Sequence, residues 1–154
     1  MGVALTLQSY FGDHRVAYDV MRHQRTSNSS RTAEACHVPG ERLAKGVILK
    51  SDDGYILAVL PASKRIAMGA VAAVTGTPVA LASEAEASML FPDCDPGAVP
   101  VFGAAYGVPA IMDDTLDTSR DIYCEGGDHT SLVHMDGRDF SALMAGADRH
   151  TFCA

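Results

Sequence analysis

The 154-residue chain has no stretch approaching the roughly 20 consecutive apolar residues that a membrane-spanning helix needs. Its longest apolar region, residues 69–82, is interrupted by Gly69, Gly76 and Pro78. Residues 1–14 place no basic segment ahead of an apolar one and offer no small-residue cleavage site, so no export signal is expected. Cysteine is scattered. Cys36, Cys94, Cys124 and Cys153 form no Cys-x-x-Cys pair and have no histidine at zinc-finger spacing, so reduced thiols in a cytoplasmic protein are expected rather than a disulfide framework. Excess positive charge is also missing: a net charge of −7 argues against a general nucleic-acid binder, DNA included, because phosphate contacts need a basic surface. There is no internal repeat, low-complexity tract or linker, which points to one domain over residues 1–154.

What is present is the composition of a globular core, 47% hydrophobic and 20% charged. The charge is unevenly spread. Residues 1–65 hold nine Lys/Arg against six acids, whereas residues 66–154 hold three against thirteen, so a basic strip on an acidic body is one reading and ordinary solvated surface the other. The clearest local signal is a hairpin: two β-prone runs, residues 43–49 and 55–60, flank Lys50-Ser51-Asp52-Asp53-Gly54, whose glycine accepts the positive φ of a tight turn. Further strands are expected over 16–21, 78–81, 108–112, 121–124 and 131–134. Helices are expected over 3–11, 31–37, 64–74, from a Ser83 cap to Pro92, and over 137–144. Residues 93–107, rich in glycine and proline, should form an ordered loop. Strands and helices interleave while short hairpin links dominate, so the expected class is α+β, with a mixed, largely antiparallel, barrel-like sheet and flanking helices.

Catalytic signatures are scarce. There is no Gly-x-Ser-x-Gly elbow, P-loop or Gly-x-Gly-x-x-Gly, and no His-rich metal spacing. Asp113-Asp114 with Asp117 could be imagined as a metal cluster, but adjacent strand residues point to opposite faces, so no metal or other cofactor is expected. Three features remain. Lys45 interrupts an otherwise apolar strand, where an ammonium must find an anion or a route to water. Asp95-Pro96-Gly97-Ala98-Val99-Pro100-Val101-Phe102-Gly103 has the glycine that lets a backbone approach a ligand closely. Glu125-Gly126-Gly127-Asp128-His129 puts an imidazole just past a strand end.

Taken in order and spacing, these features resemble the YbaK and prolyl-tRNA-editing domains from about residue 18 to residue 143. The resemblance is carried by Leu43-Ala44-Lys45 opening a strand, by Pro96-Gly97-Ala98-Val99-Pro100 with Phe102-Gly103, and by Gly126-Gly127-Asp128-His129. His23, followed by Thr26 and a helix containing Thr32-Ala33-Glu34-Ala35, fits the N-terminal section of the family. Two stretches depart from it: Val101 stands where many members have a second proline, leaving the pocket wall open, and residues 27–31 are looser than the usual helix start.

The resemblance implies a cytoplasmic hydrolase that acts in trans without a cofactor. It would cleave the ester between a wrongly attached amino acid and the terminal adenosine of tRNA, with tRNAPro carrying alanine or cysteine as the model substrate. Its implied partners are the tRNA acceptor end and prolyl-tRNA synthetase. Lys45 would clamp the terminal phosphate or ribose, N–H groups from Gly97 to Val99 would meet the developing oxyanion, and a water or a neighbouring ribose hydroxyl would attack. Catalysis would rest on Lys45, Gly97 and His129. Substrate contacts would come from His23, Thr26, Ala98, Val99, Pro100, Gly126, Gly127 and Asp128. Two other readings stay open: a non-catalytic tRNA- or synthetase-binding module of the same fold, and a thiol hydrolase using Cys124 with His129.

Overall fold

The computed structural model describes residues 2–26 and 28–154; Ser27, which opens the loose stretch 27–31, lies outside them, as does Met1. In chain order the elements are α1 (Leu5–Asp13), β1 (Asp19–Arg22), α2 (Ser29–Cys36), β2 (Leu43–Ser51), β3 (Gly54–Pro61), α3 (Met68–Thr75), β4 (Ala80–Leu81), α4 (Glu84–Leu90), β5 (Ala110–Asp113), β6 (Ile122–Glu125), β7 (Ser131–Met135), α5 (Gly137–Leu143) and β8 (Asp148–His150). Two 3₁₀ turns, Gly40–Arg42 and Gly103–Tyr106, complete the set. The expected hairpin forms with Ser51 opposite Gly54, whose φ is +121°. No helix among the described residues is long and apolar enough to cross a membrane.

The eight strands make one sheet in the order β1-β7-β6-β2-β3-β5-β8, with β4 added against β2. The α+β class holds, but the sheet is mixed rather than largely antiparallel, and it is open rather than barrel-like. β2 runs parallel to β6, β3 to β5 and β5 to β8; the other pairs are antiparallel. Local turn signals reveal only hairpins, here β2–β3 and β6–β7. Parallel pairs need long crossovers, and nothing local in residues 62–109, which carry the chain from β3 to β5 through α3 and α4, announces where they return.

The partners of β2 change along its length. On one side β3 accompanies it throughout. On the other, β6 pairs only with Leu43 and Ala44, and β4 only with Leu49 and Lys50, leaving residues 45–48 without a strand neighbour there. The glycine loop packs over the face of β2 beside this gap. An added Cβ on Gly46 would stand 2.8 Å from the Pro100 carbonyl oxygen and 2.9 Å from Leu57 Cδ1, so only glycine lets the loop lie this close to β2.

The main core anchors both ends of that loop. Phe91 and Phe102 are almost wholly buried, and the Phe102 ring packs edge-on against Phe11 and Phe140 at centroid distances of 5.2 and 5.6 Å. Val101 is also fully buried in this core, so its departure from the family pattern alters packing beneath the loop rather than the pocket wall. Before the loop, α4 opens with a capping box: Ser83 accepts from the Glu86 N–H, and Glu86 accepts from the Ser83 N–H at 2.8 Å. Glu86 also accepts from Tyr55 of β3 at 2.8 Å and pairs with Lys50 of β2 at 3.1 Å, pinning α4 to the hairpin. The bonds from Ser83, Tyr55 and Lys50, in that order, hold the Glu86 carboxyl down at about 2. A carboxylate depressed in the folded state stabilises above its ordinary value of 4.5, and the contribution is lost as pH falls toward 2. Thermal melts from pH 5 to pH 2 should therefore show Glu86→Gln losing less stability on acidification than the parent chain; parallel curves would remove Glu86 from the acid transition.

Candidate functional site

The gap beside β2 opens into a cleft of about 240 Å³. Lys45 and Gly46 from β2, Gly97 and Val99 from the glycine loop, Glu125 from the end of β6, and His129 all line it. Asn28, Ser29 and Ser30, at the start of α2, close one side; the Asn28 side chain caps that helix by accepting from the Arg31 N–H at 2.9 Å. Three residues far apart in sequence thus meet in one place: Lys45, Gly97 and His129.

Lys45 is half-buried, and its nearest partner is the Ala62 carbonyl oxygen at 3.5 Å, a long contact. No carboxylate among the described residues lies within ion-pair distance of it. Burial, chiefly, and the nearby Arg65 depress its affinity for a proton, while Cys153 opposes them, so its pKa lies below the usual lysine value. An incompletely solvated cation with no carboxylate partner among the described residues is suited to an anionic group of a ligand.

The glycine loop supplies donors. The Ala98 N–H is taken by the Asp95 carbonyl at 3.0 Å, whereas the Gly97 and Val99 N–H groups bond to no described residue. Gly97 has φ +81°, and an added Cβ there would lie 3.5 Å from His129 Cε1. Gly97→Ala should therefore cost about 1–2 kcal/mol in denaturant-measured stability through left-handed strain, and also narrow the space before the imidazole. Unchanged stability would contradict the loop conformation.

His129 is buried and itself adopts a positive φ of 62°, which is uncommon outside glycine. Its Nε2 lies 2.7 Å from the Pro96 carbonyl oxygen, and because a carbonyl only accepts, Nε2 is the donor of this bond. The ring thereby braces the glycine loop. Its strained backbone is held by Glu125, whose Oε2 accepts from the N–H groups of Gly127 at 2.8 Å and of Asp128 and His129 at 3.3 Å each. Sequence reasoning passed over Glu125 as a site residue; the available signal was an acidic side chain immediately before a Gly-Gly turn, where it can accept from exposed turn amides.

The remaining expected contacts lie around the cleft rather than in it. Ala98 faces a hollow beneath α4, and Pro100 is buried with its carbonyl over Gly46. The Gly126 N–H bonds to the Ser131 carbonyl at 2.8 Å, and its own carbonyl accepts from the Ala4 N–H at 2.9 Å, tying the turn to the segment before α1. The Gly127 carbonyl accepts from Asp95 N–H at 2.8 Å. Asp128 accepts from the Thr130 N–H at 3.0 Å and the Ser131 hydroxyl at 3.1 Å; burial alone would raise its carboxyl, but these bonds outweigh that and hold it below its usual value. His23 donates its backbone N–H to the Thr130 carbonyl at 2.9 Å. The Thr26 hydroxyl bonds to that of Thr32, and Thr26 borders a shallow hollow, shared by Gly97 and His129, next to the main cleft. Cys124 is fully buried and outside the cleft, and burial pushes its thiol far up, which removes the thiolate that a thiol hydrolase needs. Asp113 accepts from the Phe152 and Thr115 N–H groups, and Asp114 pairs with Arg149, so the two carboxylates do not converge.

A comparison with curated proteins finds no match. Among solved structures, a scaffold protein from epitope backbone grafting by computational design superposes with a TM-score of 0.83 at 20% identity, over 98% of this chain and 97% of that one. A hypothetical protein gives 0.83 at 18% identity, covering 97% and 99%. A protein proposed as a trans-editing enzyme for prolyl-tRNA synthetase gives 0.82 at 20% identity, covering 97% and 95%. Identities this low establish a shared fold. The family assignment comes from the sequence model for the aminoacyl-tRNA editing domain, which matches residues 23–143 and so spans all three cleft-forming segments: this chain belongs to the aminoacyl-tRNA editing domain family.

Proposed function

We propose that the chain is a trans-acting aminoacyl-tRNA deacylase that hydrolyses the ester of a mischarged tRNA, with tRNAPro bearing alanine or cysteine as its substrate class. The observation that carries this reading is the meeting of an unpaired lysine, two uncommitted backbone N–H groups and an oriented imidazole in one small cleft. The structural likeness to a protein proposed as a prolyl-tRNA synthetase trans-editing enzyme supports the choice of tRNA.

An aminoacyl ester is already activated, so positioning and charge stabilisation suffice without a protein nucleophile. Lys45 holds the phosphate or ribose of the terminal adenosine. Water adds to the ester carbonyl carbon, and the negative charge that develops on the carbonyl oxygen is met by the Gly97 and Val99 N–H groups. The acyl C–O bond then breaks, one proton of the attacking water passes to the ribose oxygen and the other to solvent, and the amino acid leaves as its carboxylate. His129 keeps the glycine loop in place through Pro96 and walls the pocket. A synthetase pocket discriminates one methylene by only about 1–3 kcal/mol, which is why a second sieve for smaller amino acids is useful.

The test is a deacylation panel: tRNAPro charged with alanine, cysteine, serine, threonine or proline, with and without prolyl-tRNA synthetase. Release of alanine or cysteine well above the spontaneous rate, with proline spared, is the expected result. If no ester is cleaved, with or without the synthetase, the chain is a non-catalytic tRNA- or synthetase-binding module.

A further inference from the structure

β2 and β6 run parallel in register, Leu43 opposite Tyr123 and Ala44 opposite Cys124, and then part. The next residues on each strand are Lys45 and Glu125. Both line the cleft, yet no ion pair joins them. Opposite charges placed one step past the last paired residues of neighbouring strands would ordinarily close on each other. Here the strands diverge and the space between them is the cleft.

Each charge is also held open. Lys45 has only the long contact to the Ala62 carbonyl. Glu125 is half-buried, and its Oε2 is committed to three backbone N–H groups, while Oε1 accepts from no described residue. Those backbone bonds fix the carboxylate's direction without neutralising it. A ligand with an anionic group near one end and a cationic group near the other fits this arrangement. An aminoacyl-adenosine end has that form: a phosphate on the nucleotide side of the ester and an α-ammonium on the acyl side.

Resting on the deacylase reading, we infer that the open oxygen of Glu125 recognises the α-ammonium of the esterified amino acid. The site then selects aminoacyl esters with a free amine and discriminates against N-acylated ones, including peptidyl esters. An N-acyl group removes the positive charge and adds bulk facing a half-buried carboxylate, so binding loses a charge-assisted hydrogen bond and gains a repulsive contact.

Initial hydrolysis rates of alanyl-tRNAPro and N-acetylalanyl-tRNAPro test this on the whole chain. The wild-type protein should favour the free-amine ester by about 10–150-fold in kcat/KM, the range expected for one hydrogen bond to a charged group. Glu125→Gln keeps an oxygen for the three backbone N–H groups but drops the charge; it should depress the alanyl rate far more than the N-acetylalanyl rate, collapsing the ratio toward one. The wild-type ratio needs no variant and so stands even if Glu125→Gln misfolds. Equal wild-type rates on the two esters overturn the role of Glu125 while leaving the deacylase reading intact, as does a Glu125→Gln variant that lowers both rates equally. Hydrolysis of neither ester overturns both.

Discussion

Lys45→Met is expected to lower kcat/KM for alanyl-tRNAPro by about 10–150-fold while leaving the melting temperature unchanged or slightly higher. The size follows from losing one hydrogen bond between charged groups, about 1.5–3 kcal/mol. The unusual part is the sign on stability. Most substitutions in a strand facing a core destabilise, but Lys45 pairs with no carboxylate among the described residues, and its burial disfavours the charged form. Because its folded pKa lies below the ordinary value of 10.5, the unfolded chain binds more protons in that interval, and stability rises with pH as the native ammonium loses its proton. Methionine has similar length and no such dependence. Stability of the wild type relative to Lys45→Met should thus improve toward alkaline pH. A variant that is destabilised and loses activity in proportion would mean that Lys45 serves the fold, not the ester.

Phe102→Ala should have the largest effect on stability. Its side chain is fully buried against Phe11 and Phe140, with Tyr10 at a centroid distance of 6.2 Å. Truncating such a ring costs about 3–5 kcal/mol, a large share of the 5–15 kcal/mol typical of a domain. The consequence for function exceeds the loss of folded protein. Phe102 fastens the end of the loop that carries Gly97, Val99 and Pro100, and the Pro100 carbonyl rests on Gly46. Urea titration should show a lower midpoint with an unchanged slope. Deacylation measured where the variant is still fully folded should fall further, because Gly97 and Val99 lose their fixed place; wild-type turnover under those conditions would mean that the loop is positioned from elsewhere.

These two residues also show what was legible in the sequence. Lys45 stood out because an ammonium in an apolar strand has a physical cost that must be answered, and the glycine loop because Gly and Pro restrict the backbone in recognisable ways. The β2–β3 hairpin was legible for the same local reason. What escaped was non-local. β8 is a three-residue strand paired with β5, and residues 148–150 carry no β pattern of their own. α3 begins at Met68 rather than near residue 64, because Ile66 bridges to Cys153 and the Ala67 N–H goes to the Phe152 carbonyl at 2.8 Å, holding that stretch extended. α1 begins at Leu5 because the Ala4 N–H is drawn to Gly126. The motif marks Gly126, Gly127 and Asp128 together with His129, and their N–H and carboxylate groups bond within the turn that supports His129. Spacing in a motif marks residues that act together; it does not separate those that face the ligand from those that hold them.

The most direct measurement is binding of a non-hydrolysable mimic, 3′-alanylamino-3′-deoxyadenosine 5′-phosphate, followed by backbone amide NMR shifts of the isotope-labelled chain. The cleft account predicts that the largest shifts fall on Lys45, Gly46, Gly97, Val99 and His129, and that Lys45→Met weakens binding. Saturable binding whose shifts cluster away from these five amides, or the absence of binding at millimolar mimic, would contradict it.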